Sequence, residues 1–164
     1  MKVAFVSLGC AKNLVNTEQM MALARDAGYE ITAEPAGADA AVLNTCGFIE
    51  SAKSEAIDQI LELARLKEEG KLGKLLVAGC LSQRYGEEIL TELPEVDGIL
   101  GTGSYTDVVP ALEAALAGET PRLFGDIDHT AEDGARVLAT PAYTAYLKIA
   151  EGCDNRCAYC VIPS

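Results

Sequence analysis

The 164-residue chain carries 13 Lys and Arg against 25 Asp and Glu, a formal net charge of -12 at pH 7, and 49% of it is hydrophobic. That composition excludes a disordered chain and suits one domain with a sizeable core. It also argues against direct nucleic-acid binding, because an acidic surface repels phosphate backbones, and no apolar run approaches the ~18 residues of a membrane span. Within residues 141–164, Lys148 and Arg156 balance Glu151 and Asp154, so all the excess negative charge lies in 1–140. Such a balance suits a basic protein partner, or no charged partner.

Lys2 to Ser7 (KVAFVS) reads as a short buried parallel strand and runs into Leu8-Gly9-Cys10. Val3 to Leu8 is too short for a signal-peptide core, which needs roughly 7–15 apolar residues, so the expected compartment is the reducing cytoplasm. The cysteines should then be thiols or metal ligands, not disulfides. Asn13 or Asn16 can cap a helix whose apolar positions are Met20, Leu23, Ala24 and Ala27, with Gly28 as its stop. Tyr29 to Thr32 is a weak strand. Ala40 to Asn44 (AAVLN) is a stronger one and ends in Thr45-Cys46-Gly47. The gap between them is too short for a crossover helix, which takes about ten residues or more, so a tight turn is expected there.

Ile49 to Glu69 predicts a long helix with Ala52, Ala56, Ile57, Ile60, Leu61 and Ala64 as its apolar stripe and Lys53 among its solvated residues. Lys74 to Ala78 (KLLVA) is a third buried strand, ending in Gly79-Cys80. A helix from Gln83 to Leu93 and a strand at Gly98 to Leu100 follow. Ser104-Tyr105-Thr106-Asp107 has the form of a capping box before a helix to about Ala117. Gly101-Thr102-Gly103 lacks the third glycine of a dinucleotide fingerprint and does not follow the first strand. From 121 to 140 the helical rhythm is lost, as in a linker, and the lone His129 reads as a surface residue. Ala142 to Ala150 (AYTAYLKIA) alternates like a strand and leads into Gly152-Cys153.

Cys153, Cys157 and Cys160 are spaced C-x3-C-x2-C. Three thiolates this close are soft donors aimed at one point, as an iron–sulfur cluster requires, and three cysteines leave the fourth iron of a 4Fe-4S cube open. Structural zinc usually takes four Cys or His ligands, and a thioredoxin-like pair belongs near a helix after a first strand. Cys10, Cys46 and Cys80 each follow a strong buried strand, with Gly9, Gly47 and Gly79 beside them. In an open parallel sheet of order 2-1-3-4-5 those three strands are neighbours. At ~4.8 Å per strand the outer two ends are about 10 Å apart, so three loops can direct three thiolates into one space. Taken singly, each cysteine also fits as a small buried hydrophobe.

These residues resemble a known family. Cys153-x3-Cys157-x2-Cys160, with Tyr159 before the last cysteine, resembles the signature of radical S-adenosylmethionine (SAM) enzymes. Gly9-Cys10-Ala11-Lys12-Asn13, Thr45-Cys46-Gly47-Phe48-Ile49 and Gly79-Cys80-Leu81-Ser82-Gln83-Arg84-Tyr85 resemble the three cysteine motifs of its methylthiotransferase branch, in the form that modifies an aspartate β-carbon of a small-subunit ribosomal protein. A second branch of that family modifies an adenosine in tRNA.

The resemblance implies two 4Fe-4S clusters, one on Cys10, Cys46 and Cys80 and one on Cys153, Cys157 and Cys160. SAM would bind the second, with Tyr159 along its adenine, and a reducing electron donor would cleave it to a radical. The substrate implied is a basic ribosomal protein. The fold expected is an α/β domain with an open five-stranded sheet over 1–120, a linker over 121–140 and, over 141–164, the start of a SAM domain whose remainder is absent. The chain therefore reads as an N-terminal fragment that does not turn over alone.

Overall fold

The computed structural model describes residues 1–127, 134–150, 152, 153 and 155–160. The expectation for His129 lies outside them. The elements in chain order are β1 (Lys2–Ser7), α1 (Ala11–Asp26), β2 (Glu30–Thr32), β3 (Ala38–Thr45), α2 (Glu50–Glu68), β4 (Leu72–Gly79), α3 (Cys80–Glu92), β5 (Gly98–Leu100), a 3-10 turn (Tyr105–Asp107), α4 (Val108–Leu116) and β6 (Arg122–Leu123). All strands are parallel, in the order β2-β1-β3-β4-β5-β6.

Alternation along the strands explains the three layers, since successive side chains point to opposite faces. Ala4, Ala41, Leu43, Leu75, Val77 and Ile99 pack with Ala56, Ile60 and Leu63 of α2 and Leu81 and Ile89 of α3. Val3, Ala40, Val42, Leu76, Ala78 and Leu100 pack with Met20 and Ala24 of α1 and Ala111, Leu112 and Ala115 of α4. Both faces are covered, so the strands read as continuous apolar runs. The chain passes from β2 to β3 in the five residues 33–37 without a helix, and the two strands flank β1.

The order 2-1-3-4-5 is borne out, with a sixth strand added. Arg122–Leu123 is too short to announce itself, but the amides of Ile99 and Gly101 donate to Pro121 and Leu123 carbonyls at 2.9 and 2.8 Å. Three helix readings need correction. α1 starts at Ala11 with Cys10 as its N-cap, so Asn13 and Asn16 lie inside it, and Leu23 is exposed. The stripe of α2 is Ala56, Ile60, Leu63 and Ala64. Ile57 and Leu61 fall on its flank, 42% exposed, while Lys53 lies over the Tyr85 ring instead of standing in solvent. α3 starts at Cys80 and kinks at Tyr85.

Ser104 caps nothing with its side chain; its hydroxyl accepts from the Gly125 amide at 2.6 Å. The glycines of 101–103 serve packing. A Cβ at Gly101 would meet Gln83 Oε1 at 2.2 Å, and that oxygen accepts from the Thr102 amide. Ala142 to Ala150 forms no strand. Tyr143, Leu147 and Ile149 are exposed, and no strand among the described residues pairs with the stretch to satisfy its backbone.

Asp97 joins three elements. Its carboxylate accepts from the Leu75 amide at 2.7 Å and pairs with Lys74 at 3.0 Å and with Lys67 at the end of α2. Removing one partner of a mostly buried ion pair leaves the other charge uncompensated. Asp97→Ala should therefore cost about 3 kcal/mol, the low end for such a loss, read as a lower urea midpoint with unchanged slope. A surface substitution such as Glu119→Ala should leave the midpoint in place.

Candidate metal centre

Parallel strands that share a direction end on one edge, and β1, β3 and β4 are neighbours. Their ends are level, with Ser7 beside Asn44 and Thr45 beside Gly79. Cys10 follows β1 as the N-cap of α1, Cys46 follows β3 directly, and Cys80 follows β4 as the first residue of α3. The structure thus brings Cys10, Cys46 and Cys80 to one rim. Cys10 is exposed; Cys46 and Cys80 are half-buried. Two helix N-termini open onto this rim, where unpaired backbone N–H groups favour negative charge.

A buried polar network holds the three loops at their roots. The Asn13 amide donates to the Leu8 carbonyl at 3.1 Å and the Thr45 carbonyl at 3.0 Å, and its Oδ1 faces the Cys10 thiol at 3.9 Å. The Asn44 amide donates to the Asn13 carbonyl at 2.9 Å and Thr17 Oγ1 at 3.0 Å. The Thr45 hydroxyl donates to Ala78 at 2.6 Å, and Ser82 to Val77 at 3.2 Å. Asn13, Thr17, Asn44, Thr45 and Ser82 are all buried. Sequence reasoning missed them as site residues; for Asn44 and Thr45 the available signal was a polar pair at the end of an otherwise apolar strand.

Backbone clearance is tight. A Cβ at Gly9 would lie 2.5 Å from Cys46 Cβ and 3.4 Å from its sulfur, and one at Gly47 would press on Leu81 Cα at 3.0 Å. Gly79 has φ +95°, and a Cβ there would meet Asn44 Oδ1 at 2.3 Å. Burial pushes the Cys80 thiol up to about 11, with the neighbouring thiols of Cys46 and Cys10 adding to the rise and Lys12 opposing it. Among the described residues no three Cys, His, Asp or Glu side chains are arranged to hold a metal ion.

The second group is more open. Cys153 and Cys157 are exposed and Cys160 is half-buried. The Cys160 amide donates to the Cys157 carbonyl at 3.0 Å, so these two share one four-residue turn with Tyr159 at its tip, 92% exposed. Cys153 stands outside that turn.

Residues 2–101 match the model of a family described as uncharacterized protein family UPF0004. The chain belongs to that family. It is also 52% identical over 163 residues to the ribosomal protein uS12 methylthiotransferase RimO of Symbiobacterium thermophilum, covering 99% of this chain and 34% of the relative. The proteins of the same name from Pelotomaculum thermopropionicum and Lachnoclostridium phytofermentans are 52% and 51% identical, with 99% of this chain and 37% of each covered. The chain thus spans about a third of the length of the curated relatives it matches. The resemblance to the methylthiotransferases, in the branch acting on ribosomal protein, is borne out by relatives matched along nearly the whole chain.

Two outcomes are expected. Thiolate is the reactive form of cysteine, and with its pKa at about 11 only about one Cys80 in a thousand is ionised at pH 8. Iodoacetamide at that pH, followed by peptide mass mapping, should label Cys153 and Cys157 well before Cys80. Gly79→Ala should cost more than Gly28→Ala. Both positions have positive φ, worth about 1–2 kcal/mol for a non-glycine residue, but a Cβ at Gly28 meets nothing. Thermal melts of the two variants measure the difference.

Proposed function

We propose that Cys10, Cys46 and Cys80 hold one 4Fe-4S cluster and Cys153, Cys157 and Cys160 a second, in the N-terminal part of a SAM-dependent methylthiotransferase. Its substrate is a basic protein of the small ribosomal subunit, modified on an aspartate β-carbon. The observation that carries this reading is the meeting of three cysteine loops at the ends of three adjacent strands. The names of the relatives, which specify a methylthiotransferase acting on ribosomal protein uS12, support the substrate class.

The division proposed is a cluster domain over 1–120, a connection over 121–140 that lends β6 to the sheet, and the start of a SAM domain over 141–164. Clusters and SAM held there would supply radical chemistry at an unactivated carbon and a sulfur donor. The chain's own residues do the rest. Asn13, Asn44 and Thr45 fix the loops, and the N-termini of α1 and α3 face the negative charge. With three cysteines each, the clusters would have capacity for a further ligand: SAM at the second group, where Tyr159 would contribute to its binding, and sulfur at the first. A reducing donor is required. No helix among the described residues is long and apolar enough to cross a membrane, and cysteines that serve as thiolate ligands suit a reducing compartment such as the cytoplasm.

Anaerobic reconstitution with iron and sulfide tests the ligands. The chain should become brown and bind about 8 iron, or about 4 in Cys80→Ser or Cys157→Ser. One colourless zinc per chain would overturn the reading. With SAM and a reductant, the longer enzyme should place a methylthio group on aspartate of the ribosomal protein; product on tRNA instead would move the assignment to the adenosine-modifying branch.

A further inference from the structure

We propose that Glu18 is a positioning residue, which fixes the connecting stretch 134–148 across α1 as an ordered strap and so sets where the second cysteine motif begins. Its consequence for turnover rests on the two-cluster reading above; the strap itself does not.

Glu18 lies in the middle of α1, on the helix that starts at Cys10, and is 1% exposed. A buried carboxylate is costly unless it is paired. Its partners come from the connecting stretch. The Ala139 amide donates to Glu18 Oε1 at 2.9 Å, the Val137 amide donates to the Glu18 main-chain carbonyl at 3.0 Å, and Arg136 stands 3.6 Å from Oε2. The strap is braced internally. Arg136 also donates to the Tyr146 carbonyl at 2.8 Å, and the Thr144 amide donates to Pro141 at 2.9 Å. A second anchor follows, where Lys148 donates to Asn16 Oδ1 at 2.9 Å and lies over the Tyr105 ring at 5.1 Å. Along α1 the contacts step from Glu18 to Asn16, toward Cys10.

These anchors limit the reach of the chain. Asn16 is six residues along α1 from Cys10, about 9 Å. Lys148 is five residues from Cys153, at most about 18 Å. A free tether from Leu123, the end of β6, would allow Cys153 a span of thirty residues. The strap replaces that span with five, and chemistry that needs two clusters on either side of one substrate carbon depends on such a limit.

Geometry ranks the contacts. At 2.9 Å the Ala139 amide makes a full hydrogen bond to Glu18, whereas the 3.6 Å approach of Arg136 is a looser ion pair. A neutral acceptor should therefore keep the strap and a methyl group should not. Amide exchange of the 164-residue chain, followed by NMR, tests this. Val137 and Ala139 should exchange at least about tenfold more slowly than unstructured peptide. Glu18→Gln should keep that protection and Glu18→Ala should lose it, with the amides of β3 and β4 unchanged. Ala139→Pro removes the donor without touching α1, and should release Val137 even if Glu18→Ala fails to fold.

Unprotected Val137 and Ala139 in the native chain would overturn the strap. So would unchanged protection of Val137 in Ala139→Pro. In the longer enzyme, Ala139→Pro should lower kcat about tenfold with KM for SAM unchanged; an unchanged kcat overturns the positioning role. A protected strap without methylthio product would sink the functional reading alone, and product from a chain with unprotected strap amides would sink the strap alone.

Discussion

One buried side chain, Asn13, sets the geometry on which the cysteine rim depends. Its amide bridges the carbonyls that close the β1 and β3 loops, and its oxygen faces the Cys10 thiol. Those carbonyls belong to backbone leaving a sheet, where the ladder no longer supplies partners. Leaving them unpaired away from water would cost about 1–3 kcal/mol each. Asn13 satisfies both from one planar group, which also fixes the separation of the loops. Asn44 then locks Asn13 from beneath, through its main-chain carbonyl. The position of Cys10 relative to Cys46 is thus settled by hydrogen bonds between main chain and amide side chains, and does not wait for a ligand.

Charge follows the same division. The chain is strongly acidic, yet the stretches 8–16, 45–49 and 79–86, which carry Cys10, Cys46 and Cys80 off β1, β3 and β4, contain Lys12 and Arg84 and no Asp or Glu. Arg84 lies over the Phe48 ring at 5.6 Å, so its guanidinium is held between the loops that carry Cys46 and Cys80. Three thiolates brought together carry net negative charge, and any carboxylate close by would raise the cost of gathering them. The burial that keeps Cys80 protonated is the remaining obstacle. A soft metal that bonds the thiolate overcomes it; a hydrogen-bond donor in water would not. Cys80 itself is poorly suited to act as a free nucleophilic thiol.

Most of the sheet was legible because its strands are buried on both faces. AAVLN and KLLVA have no other reading at that length, and their ends locate Cys46 and Cys80 directly. What misled was α1. Its first nine residues include Asn13, Asn16, Thr17, Glu18 and Gln19, all buried. A search for apolar residues at helical spacing passes over such a segment and starts the helix late. The physical reason is that this face of α1 packs against loop carbonyls and the connecting stretch, which need hydrogen-bonding partners rather than apolar ones. β6 was invisible for a different reason, since two residues have no periodicity. The stretch Ala142 to Ala150 has the period of a strand and lacks a neighbouring strand among the described residues. Alternation states which side chains could share a face, and pairing decides whether a strand exists.

The polar residues of α1 therefore divide by what they serve. Asn13 and Thr17 turn toward the ends of β1 and β3, while Asn16 and Glu18 turn toward the stretch leading to the second cysteine motif. Residues at 13 and 17 are one helical turn apart and share a face, and 16 and 18 stand on either side of it. A single rigid helix thus carries the partners of both cysteine groups on adjoining faces. Rigidity matters because an α-helix transmits a displacement at one end to the other with little loss, whereas a loop absorbs it. If α1 were built from apolar residues at these positions, it could still close the core against Met20 and Ala24, but it would hold neither the loops at the rim nor the strap. The burial of Asn13, Asn16, Thr17 and Glu18 in one half of a helix is better understood as two sets of polar contacts, to the strand ends and to the strap, than as a defect in its amphipathic pattern.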